Sequence, residues 1–413
     1  MALPSEVDIA VIGAGAAGVA AGRTLQAANA KFIVLEARAR VGGRAWTETA
    51  GGFPLDLGCG WLHSAERNAW TKIAQAEGLT VDRTPPPWGK PALEYGFSAA
   101  GQREFRAAAA AFYRRLDEAS DQERDRPLAD FLEPGGKWNS MLQAISTYVN
   151  GVELDQASVG DYAAYDDSGV NWRVAEGYGA AIVAHARGLP LAFDCAVKLV
   201  DHGGQKLRIE TAQGALTARA AIVTLPTQLI AEESIRFAPA IPETLAAAAG
   251  LPLGLADKAF LALADAEKFP AESRLFGKLL PEGAANYHIR PFGRPLIEVY
   301  FGGKLASALE DAGEGALGAF AVDELASLVG NDLRPKLKAL AASAWARDPF
   351  ARGSYSYALP GHAEARARLA APVDGRLFFA GEACSPKHFT TAHGAYEAGV
   401  TAAEEAITAL AKA

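Results

Sequence analysis

The run Val7-Asp8-Ile9-Ala10-Val11-Ile12-Gly13-Ala14-Gly15-Ala16-Ala17-Gly18 constrains this chain more than any other stretch. An apolar strand leads into a G-x-G-x-x-G loop, and the loop opens an Ala-rich helix predicted over Ala16 to about Ala28. A second strand, Phe32-Ile33-Val34-Leu35, ends on Glu36. Each part suits a dinucleotide. Gly13 allows a tight turn, Gly15 lets the backbone approach a pyrophosphate, and Gly18 lets the helix lie close to the strand. The free N–H groups and positive dipole end of the helix face the phosphates. Glu36 can accept hydrogen bonds from a ribose diol and disfavours a 2′-phosphate. A Gly-rich loop alone also serves as a plain turn. The strand before it, the helix after it and the acid closing the next strand favour the ligand.

With 413 residues, half of them hydrophobic, the chain has room for two or three domains and ample core. A net charge of −8 argues against a nucleic-acid partner. Cys59, Cys195 and Cys384 are far apart and odd in number. They argue against a disulfide framework or a zinc site and fit a reducing compartment. Glu6 and Asp8 interrupt any signal peptide, and no apolar run reaches bilayer length. The expectation is a cytoplasmic monomer or homodimer with no membrane partner.

Helices are predicted over Gln102–Arg126, Ser140–Tyr148, Ala319–Val329 and Gly394–Ala411. Strands are predicted over Ala192–Val200, Lys206–Thr211 and Leu216–Leu225, punctuated by Gly203-Gly204 and Gln213-Gly214. Lys258–Leu263 and Leu296–Phe301 read as further strands, and Pro85-Pro86-Pro87 as a rigid loop. Near the end, Leu377-Phe378-Phe379-Ala380-Gly381-Glu382 is another apolar strand closing on Gly and an acid. One cofactor domain assembled from both ends of the chain, with insertions between, is the simplest α/β organisation. The expected division puts 1–76, 176–228 and 344–413 in that domain and 77–175 and 229–343 on the substrate side.

Just past Glu36, Arg38-Ala39-Arg40-Val41-Gly42-Gly43-Arg44 offers close backbone approach and cations for a pyrophosphate; an exposed basic turn is the alternative. With this segment the chain resembles the flavin-dependent amine oxidases, the monoamine and polyamine oxidases among them. The resemblance continues through Leu55-Asp56-Leu57-Gly58-Cys59-Gly60-Trp61-Leu62-His63 and Gly254-Leu255-Ala256-Asp257-Lys258. It also takes in Trp345-Ala346-Arg347-Asp348-Pro349-Phe350, Gly353-Ser354-Tyr355-Ser356, Phe379-Ala380-Gly381-Glu382 and Thr391-Ala392-His393-Gly394-Ala395-Tyr396-Glu397-Ala398-Gly399.

The resemblance implies a Rossmann-type FAD-binding domain, like that of glutathione reductase, with an inserted α+β substrate domain. It places Gly381 and Glu382 near the ribityl chain and pyrophosphate. Gly58-Cys59-Gly60 would pass under the isoalloxazine ring, and the Val197 backbone would meet the adenine. Ala17, Ala37, Arg38, Gly43, Arg44, Trp61, Trp345, Thr391 and Ala392 fall on further cofactor positions. Lys258 matches a lysine that reaches flavin N5 through a water, and Tyr355 matches a tyrosine facing the ring. Ser354 stands where monoamine oxidases attach flavin through a cysteine, which implies non-covalent FAD. Thr391 stands where a second tyrosine would complete their aromatic cage.

The implied reaction moves a hydride from the α-carbon of a neutral amine to the flavin. The imine then hydrolyses to aldehyde and amine, and O2 or another acceptor reoxidises the flavin, giving H2O2 with O2. The Trp61-Leu62-His63-Ser64 and Thr391-to-Tyr396 segments lean towards a polyamine or other non-aromatic amine. His63 has either a proton-transfer role or a packing role. His393 is read as satisfying structural hydrogen bonds, and no His spacing suggests a metal. Asp166, Asp167 and Glu176 are available for distal cations, and Arg173 and Arg290 for a substrate carboxylate. Trp88 and Trp172 remain open between pocket wall and surface. A flavin desaturase or isomerase on a lipophilic substrate, an L-amino-acid oxidase and a non-catalytic FAD scaffold stand as alternatives.

Overall fold

A computed structural model of the chain describes residues 3–119 and 125–412. The strand Glu6–Ile12 is the centre of the main sheet. It pairs in parallel with Phe32–Leu35 on one side and Gly214–Val223 on the other. Ile9, Ala10, Val11 and Ile12 are all buried, as a parallel strand covered on both faces requires. Leu191–Ala192 extends the sheet beyond Phe32–Leu35. On the other side the late strand Leu377–Phe379 pairs in parallel with the end of Gly214–Val223. Strands from both ends of the chain therefore share one sheet.

Helix Ala16–Ala27 packs against the sheet, and the last helix, Ala392–Lys412, packs on it. A Cβ at Gly399 would sit 2.2 Å from the Ala17 carbonyl oxygen, so this crossing tolerates no side chain there. Among the described residues no helix is long and apolar enough to cross a membrane.

An antiparallel meander, Val197–Asp201, Leu207–Thr211 and Gly214–Val223, joins the main sheet through its third strand. The strand expected over Ala192–Val200 is broken in two. Leu191–Ala192 pairs with the parallel layer, and the chain turns at Asp194, whose φ is +52°, before Val197–Asp201 enters the meander. The expected boundary at 228 is also displaced. Arg236–Ala238 pairs with Val197–Asp201, and Ile230, Ile235, Phe237, Ile241 and Leu251 share a core with the opening strand. Their apolar side chains close the open edge of the meander, so the segment up to Leu251 lies with the nucleotide-binding half.

A five-stranded antiparallel sheet forms the second half. Its order is Ser273–Phe276, Asn286–Ile289, Leu296–Gly302, Ala256–Leu263, Leu337–Ala342. One face carries Leu275, Tyr287, Ile297, Val299, Ala259 and Leu261 into a core shared with helix Ala316–Val329. The alternate residues face the other way. Helices Ala99–Ala119 and Asn139–Val149 share a further core with Phe276 of this sheet. The helix expected to run on to Arg126 has its next residues, 120–124, outside the described part of the chain.

Candidate active site

Gly13 has φ +105°, and a Cβ there would lie 2.6 Å from Thr224 Oγ1. At Gly18 a Cβ would lie 1.9 Å from the Gly13 carbonyl oxygen, so helix and loop need both glycines. Gly15 caps the helix without any side-chain hydrogen bond, and a Cβ on it would meet only the Gly42 oxygen at 3.9 Å. That leaves the first-turn N–H groups open to an anion. The Gly42-Gly43 loop lies alongside, with Gly42 N donating to Ala14 O over 2.9 Å. Glu36 is buried; its Oε2 accepts from Ala14 N at 2.7 Å and its Oε1 from Arg38 N at 2.8 Å.

A cavity of about 820 Å³ runs from this loop to the second sheet. That is large for a small-molecule site. Gly13, Gly15, Ala17, Glu36, Ala37, Arg38, Gly43 and Arg44 line its nucleotide end, with Val197. Gly58, Gly60, Trp61, His63, Lys258, Trp345 and Tyr355 line its middle and far end, with Gly381, Glu382, Thr391 and Ala392. Of the expected cofactor-binding residues Gly18 alone is outside the lining; it serves the helix–loop contact just described.

Several expected cofactor residues act on one another rather than towards the cavity alone. Arg44 donates to Ser354 O at 2.7 Å and to Glu382 Oε1 at 3.0 Å. Glu382 also accepts from Ser356 N at 3.1 Å, Ser356 Oγ at 2.7 Å and Thr390 N at 2.9 Å. Burial alone would raise its pKa, but Arg44 and Arg366 hold it below the ordinary range. Glu382 therefore braces the Arg44 loop, Ser356 and the Thr390 turn against one another. Arg38 pairs with Asp348 at 2.5 Å.

Lys258 Nζ is buried and held from two sides: it donates to Asp56 O at 3.0 Å and pairs with Glu298 Oε1 at 2.9 Å. Tyr300 OH donates to the same Glu298 oxygen at 2.9 Å and accepts from Trp61 Nε1 at 3.2 Å. Burial alone would lower the lysine pKa, yet Glu298, Tyr300 and Asp56 raise it above its ordinary value. For Glu298 burial acts upward, and Lys258 and His288 overcome it and hold the carboxylate ionised. Beyond Glu298 the charges continue away from Lys258. His288 Nδ1 lies 3.5 Å from Glu298 Oε2, and its Nε2 meets Glu272 Oε2 at 2.8 Å. Glu272 in turn pairs with Arg173 at 2.7 Å, and Arg173 with Asp82 at 2.7 Å.

A Cβ on Gly60 would sit 3.1 Å from Lys258 Nζ, and one on Gly58 would sit 1.7 Å from Arg44 O. Small residues here keep the floor beside Lys258 open. Tyr355 OH donates to Tyr148 O at 2.6 Å. Trp345 is buried, donates to Leu57 O at 3.1 Å and forms part of the wall. Burial pushes the Cys59 thiol up to about 12, so it carries no thiolate at neutral pH.

His63 Nδ1 meets Asn171 Oδ1 at 2.6 Å, and burial lowers its pKa, leaving a neutral imidazole at pH 7. His393 is off the lining; its Nε2 has no partner among the described residues, contrary to the expectation of satisfied hydrogen bonds. Burial and the neighbouring His388 push it down to about 3, so it packs as an uncharged ring. Trp88 lines the cavity with its ring edge-on to Trp61 at 4.5 Å, whereas Trp172 lies under Arg83. Asp167 lines the rim; Asp166 is paired with Arg67 and Glu176 accepts from Thr80 N, both off the lining. Arg173 and Arg290 are off the lining too, the first tied to two carboxylates and the second to Phe269 O.

Behind Trp345, Asp257 Oδ1 accepts from Ser343 Oγ at 2.7 Å and from Trp345 N at 3.1 Å. Burial and the adjacent Glu310 raise its pKa above the ordinary carboxylate range. A raised folded-state pKa contributes stability below the unfolded value that is lost as pH rises through the folded one. Asp257→Asn is expected to flatten the fall in stability above the ordinary carboxylate range. Urea midpoints measured at pH 5 to 8 check this, and parallel wild-type and variant profiles would remove Asp257 as the source.

The family profile described as flavin containing amine oxidoreductase matches residues 16–157 and 106–407. Polyamine oxidase 4 of Oryza sativa subsp. japonica is 29% identical over 440 residues, covering 97% of this chain and 88% of that protein. Polyamine oxidase 2 of Arabidopsis thaliana is 29% identical over 439 residues, covering 96% and 87%. Among solved structures, putrescine oxidase bound to putrescine shares the fold with a TM-score of 0.79 at 18% identity, covering 98% of this chain and 99% of that one. Cyclohexylamine oxidase from Brevibacterium oxydans IH-35A has a TM-score of 0.79 at 20% identity, covering 99% and 100%. With the Gly loop, the closing strand and the lysine-bearing sheet around one cavity, the chain belongs to the flavin containing amine oxidoreductase family.

Proposed function

We propose that this protein is a non-covalent FAD enzyme that oxidises an aliphatic, non-aromatic amine. The observation that carries the proposal is the single cavity joining the helix N-terminus at Gly15 to the buried Lys258 ammonium and Tyr355. Open first-turn amides, Glu36 and the Gly42-Gly43 loop suit the ADP half, and the floor at Gly58 and Gly60 leaves room for a flat ring. A bound flavin supplies a two-electron acceptor there.

This chain's residues supply orientation, charge and dryness. Lys258 stays cationic because Glu298 neutralises the cost of burying it. The Tyr355 ring is held by its bond to Tyr148 O and gives the reacting amine an apolar wall. A free alkylammonium titrates near ~10, by analogy with lysine, and must shed a proton before its α-carbon can be oxidised. Desolvation among Trp61, Tyr300 and Tyr355 favours that loss, and neutral His63 on the cavity lining can take the proton. Asp167 at the rim is placed for a second ammonium, which agrees with polyamine oxidases among the relatives.

Ser354 supports non-covalent attachment: its hydroxyl donates to Ala256 O and accepts from Ala256 N, both at 2.8 Å, and serves as a strand clasp. Acid precipitation is expected to release the yellow cofactor into the supernatant; colour kept in the pellet contradicts the assignment. Anaerobic bleaching of the flavin by polyamines, alkylamines, arylalkylamines and amino acids tests the reaction. Bleaching by none of them overturns the amine-oxidase reading.

A further inference from the structure

The five-stranded sheet shows the cavity two cross-strand rows. One row runs Arg274, His288, Glu298; the next runs Phe276, Asn286, Tyr300, Lys258. Lys258 and Glu298 are paired with each other. Arg274 is not: its Nε is buried without a partner, and no carboxylate of the described residues lies within 4.0 Å of its guanidinium. Its guanidinium lies over the Phe276 ring at 4.9 Å, and its residue lines the cavity. Burial and the charge of Arg106 push its pKa down to about 10, so it remains a cation at neutral pH without a counter-charge. A partly buried, unpaired guanidinium is costly, and its planar donors match a carboxylate.

We propose that Arg274 binds a carboxylate at the far end of the substrate, so that an aliphatic ω-amino carboxylate is among the amines the site prefers. Arg274 lies three strand spacings across the sheet from Lys258 and two residues along the strand, about 16 Å between Cα atoms. Both side chains rise from the same face of the sheet towards the cavity, so the two ends of the substrate are well separated, and 6-aminohexanoate serves as the probe. An α-amino acid has its carboxylate too close to the reacting nitrogen to use this residue. The proposal rests on the amine-oxidase reading and narrows its substrate class.

The test compares holoenzyme and Arg274→Met, with Arg274→Lys as the charge-keeping control. The ratio of kcat/KM for 6-aminohexanoate over hexylamine is expected to fall by about 10- to 100-fold in the Met variant, with Lys intermediate. Because it is a ratio, any general loss of activity cancels. An unchanged ratio overturns the proposal. Hexanoate, which has no amine to oxidise, is titrated into both oxidised holoenzymes and followed by flavin absorbance. A Kd weaker by about 10-fold or more in Arg274→Met supports the assignment, and equal Kd values overturn it. If no amine reduces the flavin, the amine-oxidase reading fails separately, and the hexanoate titration still judges Arg274.

Discussion

Lys258→Met is expected to slow amine-driven flavin reduction or reoxidation by at least ~10-fold, and to lower folding stability by about 3–5 kcal/mol. The stability loss comes from what the substitution strands. Glu298 is buried, and without Lys258 its favourable neighbours among the described residues are Tyr300 OH and His288 Nδ1 at 3.5 Å. An unpaired buried carboxylate costs far more than the pair contributes when intact. Adding Glu298→Gln to the Met variant is therefore expected to recover most of the stability while leaving the flavin rates depressed. Urea unfolding at matched flavin content and stopped-flow absorbance separate the two effects. A double variant no more stable than the single one would falsify the charge argument, and unchanged flavin traces would take Lys258 out of the chemistry.

This charge pair also marks how far the amino-acid sequence can be read. The nucleotide half is legible because its requirements are local: Gly13, Gly15 and Gly18 are demanded by backbone approach, and the strands beside them are short apolar runs. Lys258 stands out because a lysine interrupts an apolar strand. Glu298 and Tyr300 carry the same signal, since they alternate with Ile297, Val299 and Phe301, all buried on the opposite face. What that alternation cannot show is the partner across the sheet. Register places Tyr300 opposite Lys258 and His288 opposite Glu298, and register depends on bulges and loops with no compact signature. Arg173 illustrates the converse. It looks available for a substrate carboxylate, but Asp82 and Glu272, distant in sequence, neutralise it off the cavity. Arg274 carries no sequence sign at all; only its missing counter-charge singles it out.

Another buried pair joins Arg366 to Asp161 on the cavity lining, and its loss is expected to be as severe. Arg366 grips Asp161 through two bonds, Nε to Oδ1 at 2.6 Å and one terminal nitrogen to Oδ2 at 2.7 Å. Its other terminal nitrogen donates to Ser356 Oγ at 2.8 Å, and the same hydroxyl donates to Glu382 Oε2. The guanidinium also lies 3.8 Å from the Phe389 ring centre. Arg366→Met leaves Asp161 buried with Ala358 N as its remaining donor, at 2.9 Å, and is expected to cost about 3–5 kcal/mol. Flavin affinity should fall with it, because Ser356 and Glu382 lose one brace and Arg44 is anchored on Glu382. Arg366→Lys keeps the charge but not the two-pronged geometry, so it should fall between. Asp161→Asn added to Arg366→Met removes the stranded charge and should restore most of the stability while flavin binding stays weak. That split is the decisive result: if the double variant regains both together, the pair serves folding alone, and the link from Arg366 through Ser356 and Glu382 to the cavity wall carries no weight.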